Sequence, residues 1–109
     1  GELKHGTISL ITEGMPAIAV VTQTSLLEKT ISNMKEMKAR GAYVIAVCAE
    51  GISIDAEAAD YVIELSECPD ILAPMTAVVP LQLIAYYTSV LKGNDVDKPR
   101  NLAKSVTVE

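Results

Sequence analysis

Two uninterrupted apolar runs, Pro-Ala-Ile-Ala-Val-Val-Thr at 16–22 and Tyr-Val-Ile-Ala-Val-Cys-Ala at 43–49, enclose a segment of helical periodicity, and this order leaves few folds open. A strand that is apolar at every position, not at every second one, is a strand covered on both faces. Helices provide that cover, so strand, helix and strand in succession predict a right-handed parallel βαβ unit. Between the runs, Leu27, Ile31, Met34 and Met37 recur on one helical face. Ser25 and Glu28 fit a capping box at its start; Lys35, Lys38 and Arg40 suit the negative end of the helix dipole; Gly41 supplies the stop. Tyr61–Leu65 offers a third strand beyond a polar stretch rich in Ala and acids. The expected class is therefore α/β, a parallel sheet flanked by helices. Three strands make a thin sheet and the chain opens without Met, so an incomplete domain is expected.

With 109 residues, half of them hydrophobic, the chain can bury one core but not two. Its longest uncharged stretch, the 21 residues from Ile71 to Leu91, could span a bilayer by length alone. Pro74, Pro80, Gln82 and several hydroxyl side chains dilute it, and acidic segments flank its start, so a buried helix of a soluble protein is expected there instead of a membrane span. Pro80 suits the first turn of such a helix, ending near Lys92–Gly93. From Asn94 the chain is polar and carries Pro99, which predicts an irregular tail. The organisation expected is 1–93 as the folded portion and 94–109 as the tail.

The formal net charge of −5, with no basic cluster interleaved with aromatics, argues against a nucleic-acid partner. The charge is uneven: residues 1–91 hold five Lys/Arg against eleven Asp/Glu, and 92–109 hold four against three, so the last segment is least hostile to an anion. Cys48 and Cys68, twenty residues apart with a single His in the chain, form neither a zinc box nor a CxxC pair. They read as buried free thiols of a reducing cytoplasm, with no metal and no cofactor expected. The opening lacks the apolar run of a signal peptide. By residue type alone the candidates for chemistry are His5 and Lys104, with Arg100 close by; a lone His is more often structural, and a terminal Lys is usually a solvated charge.

Two segments carry a more specific signal. Gly-Glu-Leu-Lys-His-Gly at 1–6 and Asp-Val-Asp-Lys-Pro-Arg-Asn-Leu-Ala-Lys-Ser-Val-Thr-Val-Glu at 95–109 closely resemble, in order, two signatures of the glucosamine-6-phosphate synthase family, whose isomerase half is built of sugar-isomerase (SIS) domains. Val79–Tyr86 resembles the helix that precedes the family's tail. The first element is moderately specific, since other SIS domains carry similar His-Gly segments; the tail is far more so. Thr7 stands where many members have Pro.

The resemblance implies a Rossmann-like SIS fold, the C-terminal portion of a second SIS domain, and a part in making glucosamine-6-phosphate from fructose-6-phosphate and glutamine-derived ammonia. Lys104 matches the lysine that forms a Schiff base with the sugar ketone, a task that needs an uncharged amine held against a carbonyl. His5 matches the histidine that opens and closes the sugar ring, a proton transfer suited to imidazole near neutral pH. Arg100, Asn101, Leu102 and Ala103 match the tail that closes over the sugar and keeps water from ammonia and imine. In the family this His reaches the neighbouring subunit's site, which implies a homodimer. The glutaminase domain with its nucleophilic Cys, the first SIS domain and the family's glutamate base have no counterpart here, so the 109 residues alone are expected to be inactive. The alternative is a non-catalytic SIS module that binds a phosphosugar or assembles a dimer.

Overall fold

A computed structural model describes residues 2–99 of the chain, which divides into two units, 1–77 and 78–109. The first unit holds strand β1 (Pro16–Val21), helix α1 (Leu27–Lys38), β2 (Tyr43–Ala49) and β3 (Tyr61–Leu65). The sheet order is β1-β2-β3 with both pairs parallel; Ile18 lies opposite Ile45, and Val47 opposite Ile63. The strands and helix fall where the apolar runs and the 3.6-residue period put them.

Strand alternation sends Ala17, Ala19 and Val21 of β1 and Val44, Ala46 and Cys48 of β2 to one face, and there Leu27, Ile31, Met34 and Met37 of α1 join them in a single core. The small Ala side chains of the sheet let α1 come close, and Met34 fills the space between with no exposed surface. Burying a side chain of that size completely contributes about 1.5–3 kcal/mol. The opposite face is barer. Ile18 and Val20 of β1 are 41% and 44% exposed, which corrects the expectation of a strand covered on both sides: among the described residues of the first unit one face of the edge strand lacks a covering layer, whereas Val47 of the central strand is buried.

The start of α1 also differs from the capping-box reading. A 3₁₀ turn, Thr24–Leu26, precedes the helix; its cap is Gln23, no side chain caps either element, and Ser25 lies inside the turn. The 3₁₀ turn itself satisfies the amides of Leu26 and Leu27, which donate to the Gln23 and Thr24 carbonyls. The end of α1 follows the sequence closely: Gly41, at φ +89°, donates to the Lys38 carbonyl at 2.9 Å, while the Ala42 amide reaches that of Met37 at 3.2 Å. This is a Schellman motif with its apolar contact, since Ala42 and Met37 share the core.

Electrostatics tie α1 to the approach to β3. Lys38 Nζ donates to Asp60 Oδ1 at 2.8 Å and to the Ala56 carbonyl at 2.9 Å, and Lys35 Nζ pairs with Glu57 at 3.0 Å and Asp55 at 3.2 Å. Asp60 Oδ2 accepts from the buried Val44 amide at 2.7 Å, and its own amide donates to the Val44 carbonyl at 2.8 Å. The side chain thus extends the β2–β3 ladder by one step before β3 begins.

Helix α2 runs from Ala73 to Leu91, and Ala73–Ala77 belong to the first unit. Pro74, not Pro80, takes the first-turn position where a missing amide costs nothing; a 3₁₀ turn at Asp70–Leu72 leads into it. Pro80 is interior, so the Thr76 carbonyl loses its usual helical donor. The helix ends on a second Schellman motif, with Gly93 at φ +71° donating to Val90 and Asn94 to Ser89. The expectation of burial is corrected: over the stretch of α2 long and apolar enough to cross a membrane, only 11% is buried. Met75, Leu83, Tyr87 and Leu91 are exposed.

Candidate functional site

Parallel strands bring their carboxyl ends to one edge of the sheet, the edge at which open α/β sheets bind ligands. In the first unit that edge carries a crevice of about 180 Å³, formed by the segments that leave β1, β2 and β3 and by the first turn of α2. Thr22, Thr24, Ser66 and Thr76 offer hydroxyls, and Glu50, Glu67 and Asp70 offer carboxylates. Cys68 Sγ lies 3.6 Å from Thr76 Oγ1, which in turn donates to the Ala73 carbonyl at 3.0 Å. Among the described residues, none that lines the crevice is basic. Its chemistry therefore suits hydroxyl groups and repels an unscreened phosphate, and its volume is below the usual range for a complete small-molecule site.

Sequence reasoning did not single out this crevice. The signal was present in part: each apolar run is followed directly by polar residues, Thr22, Glu50 and Ser66, and a parallel sheet must gather such residues at one edge.

His5 stands elsewhere. It closes a 3₁₀ turn, Glu2–His5, that has no buried residue, and its ring is exposed. The turn lies beside α1: Lys4 Nζ pairs with Glu36 Oε1 at 2.7 Å, and an open groove of about 440 Å³ is lined by Lys4 with Glu28, Lys29, Ser32 and Asn33 of α1. A second 3₁₀ turn, Thr7–Leu10, continues from it, with Ser9 Oγ on the Gly6 carbonyl at 2.7 Å and Thr7 Oγ1 on that of Leu3 at 3.3 Å. His5 lines neither the crevice nor the groove. Arg100, Asn101, Leu102, Ala103 and Lys104 lie outside the described residues.

The thiols differ in environment. Cys48 is fully buried, and burial, followed by the charge of Glu64, pushes its pKa up, which marks it as a packing residue. Cys68 is only partly buried, short of the expected burial.

Residues 1–92 match the profile of the SIS domain. The chain belongs to the SIS domain family. This SIS chain is also similar along all 109 residues to proteins named glutamine–fructose-6-phosphate aminotransferase (isomerizing): 56% identical to that of Fusobacterium nucleatum, 53% to that of Thermus thermophilus and 52% to that of Methanosarcina mazei. It spans 18% of the length of each. Among solved structures, the C-terminal domain of glucosamine-fructose-6-phosphate aminotransferase from Francisella tularensis superposes with a TM-score of 0.79 at 39% identity, over 90% of this chain and 28% of that one. The parallel α/β architecture expected from the apolar runs is thus an SIS fold.

Proposed function

We propose that this SIS chain serves in the isomerase domain of a glutamine–fructose-6-phosphate aminotransferase, acting in a cytoplasmic homodimer. The observation that carries the reading is the identity of 52–56% along the whole chain with relatives of that name. In this reading Lys104 attacks the ketone of open-chain fructose-6-phosphate, and loss of water gives the Schiff base. Ammonia released from glutamine displaces the lysine to leave an imine at carbon 2, and transfer of a proton from carbon 1 to carbon 2 places the carbonyl at carbon 1 and the amine at carbon 2, which is glucosamine-6-phosphate. His5 moves the proton that opens the ring, and Arg100–Ala103 close over the sugar. An excluded-water site favours each step, because imine and ammonia are both lost to water. Since the relatives are several times longer, the 109 residues do not turn over substrate by themselves. The crevice supports this, as among the described residues it offers no cation for the sugar's phosphate.

The test is the intact mass of the full-length protein after incubation with fructose-6-phosphate and borohydride, for wild type and Lys104→Ala. A reduced sugar adduct that maps to Lys104 and is absent from the variant is expected. An unchanged wild-type mass, with the protein folded and sugar bound, overturns the lysine's role and leaves a phosphosugar-binding module.

A further inference from the structure

We infer that Glu36 is a positioning residue for His5, acting through Lys4; the inference rests on the ring-opening role proposed for His5. In the turn Glu2–His5 Leu3 is half-buried and Glu2, Lys4 and His5 are exposed, so packing holds the turn at Leu3 but not at the imidazole. Among the described residues, the Lys4–Glu36 pair at 2.7 Å is its one ion pair, and no side-chain hydrogen bond joins residues 2–5 to α1. Glu36, by contrast, stands on a helix fixed at Met34 and Met37 in the core, and its own side chain is only 27% exposed. The anchor is thus fixed in the core on one side, and the imidazole stands exposed on the other. Lys4 directly precedes His5, so a tether on Lys4 limits how far the backbone that carries the imidazole can move. Removing the pair leaves fold and core intact while widening the range of places the imidazole visits, and proton transfer is sensitive to such misplacement.

The experiment uses the full-length enzyme and compares wild type, Glu36→Gln, Lys4→Glu/Glu36→Lys and His5→Asn. Two substrates are assayed: fructose-6-phosphate, and its 5-deoxy analogue, which lacks the hydroxyl that closes the furanose ring. Glu36→Gln is expected to lower kcat on fructose-6-phosphate by up to about fivefold, the factor an exposed ion pair can carry, with little change in KM. The charge-swapped pair is expected to recover most of the loss, and on the open analogue Glu36→Gln is expected to match wild type. An unchanged kcat in Glu36→Gln, with His5→Asn impaired, overturns the inference alone, as does an equal loss on both substrates. An unimpaired His5→Asn removes the ring-opening role and the inference with it.

Discussion

Replacing Gly41 by alanine separates two costs that glycine avoids. At φ +89° any Cβ meets the left-handed penalty of about 1–2 kcal/mol. Gly41 carries a second cost, because the added carbon would meet the Glu13 carboxylate, which can swing aside, and would sit 3.0 Å from the Glu13 Cα, whose chain is drawn in by the 2.7 Å bond from the Gly14 amide to the Gly41 carbonyl. Backbone cannot rotate out of the way as a side-chain end can, so the overlap adds about 1–3 kcal/mol. Gly51 is the matched control: it lies in the same unit at φ +83°, and a Cβ there meets nothing within 4 Å. Urea unfolding followed by circular dichroism should therefore give Gly51→Ala a loss of about 1–2 kcal/mol and Gly41→Ala roughly 2–5 kcal/mol. With a slope of about 1–3 kcal/mol per molar urea, the two midpoints differ by on the order of 1 M. Glu13→Ala added to Gly41→Ala should restore little, since the Cα remains. Equal midpoints for Gly41→Ala and Gly51→Ala would refute the argument from Glu13, and full rescue by Glu13→Ala would move the cause from backbone to side chain.

Further outcomes follow from the charges and thiols. The Lys38 ammonium and then the Val44 amide hold the Asp60 carboxyl below its usual range. Because the folded value is depressed, its contribution to stability is present above the unfolded value of about 3.9 and is lost as pH falls through the folded one; Asp60→Asn should flatten the wild type's loss of stability in that acid window, and an unchanged acid profile would count against the pair. With dithiobis(nitrobenzoate) in native buffer, Cys68 should react first and Cys48 only on unfolding, since Cys48 is fully buried with its thiol pKa raised. Fast labelling of Cys48 in the native protein would show that β2 opens readily.

The charge-free α2 shows where reading a sequence and seeing a structure part. Its Ala, Leu, Met and Gln residues, with no Gly among them, favour a helix in spite of Pro80, and Gly93 ends it. Which proline opens it was not legible, since Pro74 and Pro80 each suit a first turn; the answer depends on the 3₁₀ turn at Asp70–Leu72 that delivers the chain to Ala73. Its burial was not legible either. Apolar side chains state a preference for cover, and only the arrangement of layers says whether this chain provides it.

The same division runs through the site. His5 and the tail from Arg100 to Lys104 were singled out by resemblance to a motif, and the tail lies outside the described residues. The crevice, by contrast, draws on residues scattered from Thr22 to Thr76, none of which the sequence marked as part of a site. The sequence by itself determined the local elements: β-branched runs make strands, a 3.6-residue apolar period with Gly41 behind it makes α1, and the motifs at the two ends carry the family. Tertiary structure decided the rest: that Ala19, Ala46 and Met34 meet, that Asp60 completes the ladder at Val44, that Lys4 finds Glu36, and that one face of β1 stays open. The physical reason is range, since propensity and capping act over a few residues along the chain, while burial and charge pairing depend on neighbours that only the packed fold supplies.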